Sequence, residues 1–304
     1  MIKSRRFRIT VPATTANLGP GFDTLGMALA LYNTVELETN HDRLEIDIIG
    51  EGSEGLPRDE SNVVWQAACE MFRRAGVKPP RAKLRLNNRI PSARGLGSSA
   101  AARIGGILAA NALMDGRFSI DEMLEAASQL EGHPDNVAAA LLGGIVVCAT
   151  VGGRVVWRKL PVPSGLLAVA AVPSFELSTS LACSVLPSEV RMRDAVANLS
   201  RSCLLVLALA EGRLEMLGEL MEDRLHQPYR EKLIPGLQEV FAEAKRSGAL
   251  GVALSGAGPT VLALTRDRSE AVGAAMREAF ARSGVVCDII ELRPVEDGAG
   301  ITEI

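Results

Sequence analysis

Apolar and polar side chains alternate over residues 7–11, 33–39, 43–49 and 82–90, with VELET, LEIDI and AKLRL as the clearest runs. A period of two predicts half-buried strands. In ESNVVWQAACEMFRRAG the period changes: Val64, Ala67, Ala68, Met71, Phe72 and Ala75 fall at helical spacing, and Gly76 stands where a C-terminal cap belongs. A second helix is predicted from the serines Ser98 and Ser99 through AARIGGILAANALM, and a shorter one around Asp121 to Leu130. GGIVVCATVGGRVVWRKL reads as a hairpin turning at Gly152 and Gly153, and PVPSG as a linker. Beyond it come a strand (LLAVAAV), helical stretches from Ser188 to Arg224, a helix at GLQEVFAEAKRSG, strands GVALSG and TVLAL, a helix from Glu270 to Arg282 and a strand VCDIIEL. The order predicts two α+β units, 1–163 and 164–304. Trp65 and Trp157 fall on a helix and a hairpin strand, where packing is the simpler role.

Composition narrows the class. A chain of 304 residues with 47% hydrophobic content is long enough for two cores, and 33 basic against 36 acidic residues, without like-charge blocks, create no field for nucleic acid or membrane. A small-molecule partner is the expectation. The five cysteines, Cys69, Cys148, Cys183, Cys203 and Cys287, form no CxxC pair and read mostly as small buried hydrophobes. MIKSRRFRITVPATT has no signal-peptide apolar region and no run is long enough for a bilayer span, so the expected compartment is the cytoplasm.

The candidate chemistry begins at PSARGLGSSAA, 91–101. Gly95 to Ala100 fits G-x-G-x-x-A, but PSAR separates it from its strand and Asp115 leads into another helix, which argues against a dinucleotide fold. The Gly-Lys pair of a Walker A loop is absent. Glycines ahead of a helix start still suit an anion, because free N–H groups and the helix dipole point there. Ser98 and Ser99 can equally cap the helix, and taken alone the stretch leaves both readings open.

Three further stretches accompany it: VPATTANLGPGFDTLG with Asn17 and Asp23, LEGHPDNVAAALLGG with Glu131, His133, Asp135 and Asn136, and LSGAGPTV between two strands. With PxxxGLGSSAA, this set resembles the GHMP kinase superfamily and, within it, the homoserine kinases, over nearly the whole chain. The resemblance implies a two-domain α+β fold, with an N-terminal ribosomal-protein-S5-like domain, a C-terminal ferredoxin-like domain and the site between them. It implies ATP and Mg2+ as cofactors, phosphorylation of the side-chain hydroxyl of homoserine, and a homodimer.

For individual residues the resemblance implies that Pro91, Arg94, Gly95, Leu96, Gly97, Ser98, Ser99 and Ala100 form the ATP-phosphate loop, that Asn62 meets the nucleoside, and that Ser98 and Glu131 hold magnesium. A hydroxyl and a carboxylate suit a hard cation, and phosphoryl transfer asks mainly for positioning and charge neutralisation. Asn17, Asp23, His133, Asn136, Thr179 and Arg230 are implied at the acceptor, with Asn17, Asp23 and Asn136 nearest the chemistry. Asp23 would pair with the ammonium, and Arg230 would grip the carboxylate. The general base stays unassigned. His41 and His226 have no partner pattern and read as surface residues.

The sequence departs from the homoserine kinases in STSLACSVLP, which keeps Thr179 but carries Cys183 where an arginine is usual. Losing one guanidinium would weaken carboxylate binding by about 1.5–3 kcal/mol, roughly one to two decades. Either Arg191 or Arg193 replaces it, or the acceptor is another hydroxylated acid. Arg103 stands at an ordinarily apolar position and reads as outward-facing. A non-catalytic nucleotide-binding regulator and an NAD-dependent oxidoreductase are the remaining alternatives.

Overall fold

The computed structural model describes residues 5–304, so MIKS lies outside it. The N-terminal unit contains β1 (Arg6–Ala16), β2 (Leu25–Thr39), β3 (Glu45–Gly50), α1 (Val63–Ala75), β4 (Ala82–Asn88), α2 (Ser98–Leu113), α3 (Ile120–Glu131), α4 (Asp135–Leu142), β5 (Ile145–Val151) and β6 (Arg154–Leu160). The C-terminal unit contains β7 (Leu167–Pro173), α5 (Thr179–Ser184), α6 (Met192–Glu211), α7 (Leu217–Leu220), α8 (Gln227–Arg230), α9 (Leu237–Arg246), β8 (Gly251–Leu254), β9 (Val261–Thr265), α10 (Ser269–Arg282) and β10 (Cys287–Leu292). A last strand, β11 (Gly300–Glu303), returns to the first sheet and pairs with β1.

The first sheet runs β11-β1-β2-β4-β3, with β5 pairing both β2 and β6. The second is antiparallel in the order β10-β7-β9-β8, the four-strand order of a ferredoxin-like unit. Helix α1 forms as its spacing predicts: Val64, Trp65, Ala67, Ala68, Met71, Phe72 and Ala75 are buried, and Gly76 caps it in the left-handed region at φ 66°. The hairpin β5-β6 turns at Gly152 and Gly153.

Several expectations change. Strands β1 and β2 run well beyond 7–11 and 33–39, because from Ala13 to Ala16 and from Leu25 to Leu29 every residue is buried and alternation disappears. A register shift at Pro12/Ala13 separates the alternating half of β1 from the covered half. Helix α4 is buried nearly all round and shows no amphipathic period, so the pattern misses it. Strand β11 is exposed throughout and carries no pattern. Among the cysteines only Cys148 and Cys287 are buried; Cys183 and Cys203 are exposed, and all five are free. Trp65 is buried, while Trp157 is partly covered and donates Nε1–H to Asp121 at 2.9 Å.

Candidate active site

The loop between β4 and α2 is held in conformations that need its glycines. Gly95 (φ 79°) and Gly97 (φ 72°) lie in the left-handed region. A Cβ on Gly97 would fall 1.9 Å from Thr14 Oγ1, and one on Gly95 would fall 2.2 Å from the Ser255 carbonyl oxygen. The loop is therefore clamped between β1 and the SGAGPT turn. The Ser255 hydroxyl donates to the Gly95 carbonyl at 2.6 Å and lies 2.9 Å from Thr15 Oγ1.

No side chain caps α2, whose first intrahelical bond runs from Ala101 N–H to the Gly97 carbonyl. The N–H groups of Ser98, Ser99 and Ala100 therefore have no helical acceptor, and those of Ser98 and Ser99 lie beside the cavities at the positive end of the dipole, a geometry that suits an anion. The capping alternative for the serines is thus not realised.

Two cavities meet at this helix start. One, of about 510 Å³, is lined by Asn17, Asp23, Arg94, Gly95, Gly97, Ser98, Ser99, Glu131, His133, Asn136, Thr179 and Arg230. The other, of about 420 Å³, is lined by Asn62 and shares Ala93, Ser98 and Ser99 with the first. Asn62 both caps α1, accepting from Val64 N–H at 3.0 Å, and faces this second space. Pro91, Leu96 and Ala100 do not line either cavity; they are buried behind the loop, and the Leu96 carbonyl accepts from Thr14 N–H at 3.1 Å. Leu56, Pro57 and Glu176 also line the second cavity, and nothing in their spacing marks them in the sequence.

Glu131 ends α3 and meets the helix start. Ser99 Oγ donates to Glu131 Oε2 at 3.0 Å, whereas Ser98 lines the cavities without touching that carboxylate. Arg103 does not face outward: its Nε sits 2.5 Å from Glu131 Oε2, as an ion pair without hydrogen-bond alignment. The arginine supplies Glu131 with a counter-charge where the resemblance implies a metal ion.

The acceptor end is built by the turn after β1 and the start of α4. Asn17 (φ 71°) and Asp23 (φ 53°) sit in the left-handed region, held because Asn17 Nδ2 donates to the Gly256 carbonyl at 3.0 Å and Asn17 Oδ1 accepts from Asp23 N–H at 3.0 Å. Asp23 reaches solvent at the cleft mouth, but the surrounding walls raise its pKa, helped by Asp135 and opposed by His133 and Arg230.

Asp135 is buried and spends Oδ1 on His133 Nδ1 (2.6 Å) and Asn136 N–H (2.7 Å). Through Oδ1 its carboxylate positions both neighbours. Burial lowers the pKa of His133, but the Asp135 hydrogen bond and the charges of Asp135, Asp23 and Glu131 outweigh it and bring it to about 9. His133 is therefore an imidazolium, a donor, at neutral pH. Asn136 Oδ1 accepts from the Thr14 hydroxyl at 2.8 Å.

Arg230 is only 2% exposed, yet it lines the first cavity beside Cys183. It donates Nε–H to the Ala182 carbonyl (3.3 Å) and Nη1–H to the Gly256 carbonyl (3.0 Å). Burial lowers its pKa, opposed by Cys183, Asp23 and Asp223. Such a cation is stabilised by an incoming anion. Arg191 and Arg193 do not line the cavity, so neither replaces the missing guanidinium there; Arg193 is exposed, 3.9 Å from Asp194. His226 is not a surface residue: it is fully buried against Arg230 and Gly19, while His41 is partly exposed near Glu38.

An uncapped glycine-serine helix start, a carboxylate across from it and a cleft beside both are the arrangement that an ATP-dependent small-molecule kinase needs. The patterns described as GHMP kinases N terminal domain and GHMP kinases C terminal match residues 62–144 and 205–282, and the chain belongs to the GHMP kinases. It is 51% identical over 291 residues to the homoserine kinase of Moorella thermoacetica, covering 96% of this chain and 98% of that protein. It is 50% identical to that of Carboxydothermus hydrogenoformans, covering 96% and 95%. A crystal structure of homoserine kinase from Cytophaga hutchinsonii superposes with a TM-score of 0.89 at 30% identity, covering 98% of this chain and 97% of that one. Within the superfamily, the chain belongs to the homoserine kinases.

Proposed function

We propose that the protein transfers the γ-phosphate of ATP to the side-chain hydroxyl of L-homoserine, a step in threonine biosynthesis. The observation that carries this is the convergence of an anion cradle, Asp23 and buried Arg230 on one cavity. The nucleoside occupies the space beside Asn62, the phosphates meet the N–H groups of Ser98 and Ser99, and the acceptor lies between Asp23 and Arg230. Asp23 faces the ammonium and Arg230 the carboxylate, with Asn17, His133, Asn136 and Thr179 around the hydroxyl.

Ser98 and Glu131 would hold Mg2+; their hard oxygens fit it, and the carboxylate already carries a cationic partner in Arg103. When bound, the ion neutralises phosphate charge. The protonated state of His133 makes it a donor toward developing negative charge, and the general base stays unassigned. A panel of homoserine, threonine, serine and mevalonate with ATP tests the acceptor. Homoserine is expected to give the highest kcat/KM, and preference for another hydroxylated acid would transfer the reading to that acid.

The functional units are 1–163 and 164–304, with β11 returned to the first sheet. The free cysteines suit a reducing compartment, the cytoplasm, and no helix among the described residues is long and apolar enough to cross a membrane. The partner is a second copy. Helix α6 exposes Met192 (79%), Val196 (54%), Leu199 (66%) and Leu207 (54%), spaced to share one face with Cys203. Sedimentation is expected to give a dimer that Leu199→Glu dissociates, whereas a wild-type monomer contradicts this face as the interface.

A further inference from the structure

We infer that His226 is a positioning residue that sets Arg230 for the acceptor carboxylate and ties it to the loop carrying Asp23. This rests on the reading of Arg230 as the carboxylate's partner.

His226 stands immediately before α8 and its backbone is fixed first. Asp223 Oδ2 accepts from His226 N–H (2.9 Å) and Gln227 N–H (2.6 Å), while Asp223 Oδ1 accepts from Leu225 N–H (2.9 Å) and Asn198 Nδ2 (2.7 Å). The ring is thereby sent into the core between two partners of fixed sense. Nε2 lies 2.7 Å from the Gly19 carbonyl, which only accepts, so Nε2 carries the proton. Nδ1 lies 3.1 Å from Arg230 Nη1, which only donates, so Nδ1 must be the bare acceptor. Both contacts demand the same neutral tautomer.

The ring also stacks on Phe22, with centroids 5.1 Å apart and planes at 22°, and the Arg230 guanidinium carbon lies 5.4 Å from the Phe22 centroid. Phe22 precedes Asp23 in the chain. One imidazole thus reaches the loop that presents the ammonium partner through Gly19 and Phe22, and the carboxylate partner through Nδ1. Cys183, which lines the cavity beside Arg230, brings no cation to it, so the aim of the buried arginine matters more. A long side chain held at both Nε and Nη1 loses little freedom when its anion arrives.

The test is a double-mutant cycle on purified full-length protein, read as kcat/KM for homoserine with ATP KM alongside. His226→Phe keeps an aromatic ring against Phe22 but removes both the Nδ1 acceptor for Arg230 and the Nε2–H donor to Gly19. It is expected to raise homoserine KM about tenfold while kcat and ATP KM stay within about twofold, as expected for one charge-assisted hydrogen bond. On an Arg230→Ala background the same change is expected to have less than about twofold effect, because the group it positions is gone. Equal losses on both backgrounds, or a parallel rise in ATP KM, would overturn the inference and leave His226 a packing residue. If Arg230→Ala itself leaves homoserine KM unchanged, the carboxylate reading fails instead, and the inference with it. Should His226→Phe not fold, His226→Asn and His226→Ala carry the comparison. Asn restores an acceptor near Nδ1 and is expected to recover homoserine KM relative to Ala; equal KM values overturn the proposal.

Discussion

Glu131→Ala is expected to lower kcat for phosphoryl transfer by about 100- to 1000-fold, the range seen when one preorganised electrostatic group is removed from a transition state. Homoserine KM is expected to change little, because the carboxylate stands at the phosphate side of the cleft. The effect should be large because Glu131 is only 12% exposed and is oriented by the Ser99 hydroxyl at 3.0 Å. A readout free of turnover accompanies it: the rise in melting temperature on adding Mg2+ with a non-hydrolysable ATP analogue should shrink. Arg103→Leu should do the reverse. With its paired cation gone, Glu131 is left with an uncompensated charge, so the variant melts lower alone and gains more from Mg2+. Unchanged kcat in Glu131→Ala would remove this residue from the metal assignment.

Arg230→Ala is expected to lower kcat/KM for homoserine by about 100-fold, mainly through KM. A charge-assisted contact to a carboxylate is worth about 1.5–3 kcal/mol, roughly one to two decades, and here no second cavity arginine from Arg191 or Arg193 shares it. The substitution also strips partners from the Gly256 carbonyl and from His226 Nδ1, so a fall in melting temperature should accompany it. ATP KM is the control, since Arg230 does not line the cavity beside Asn62 that is proposed for the nucleoside. Steady-state kinetics with each substrate varied in turn separates the two. A loss shared equally by ATP and homoserine would mean a collapsed cleft and not a missing anion partner.

What could be read from the chain depended on whether one face of an element meets water. Helix α1 alternates buried and exposed positions and ends at a left-handed glycine, so Val64 to Ala75 announced both its face and its limit. The second half of β1, the first half of β2 and α4 are covered on all sides, and burial without contrast leaves no period to read. The site divides in the same way. Gly95, Gly97, Ser98 and Ser99 act through local geometry, which a short motif can encode. His226 acts through Gly19, Phe22 and Arg230, and the first two lie about 200 residues away in the chain; only the fold brings them together. Arg103 reads as a solvent-facing residue until α3 sets Glu131 against it.

The central claim, that ATP and homoserine react in the cleft between the two units, is tested most directly by identifying the product. Purified protein with ATP, Mg2+ and L-homoserine should yield ADP and one new phosphate monoester on the side-chain oxygen of homoserine, followed by phosphorus NMR. No ADP formed, or ADP formed with free phosphate while homoserine stays unmodified, would contradict it.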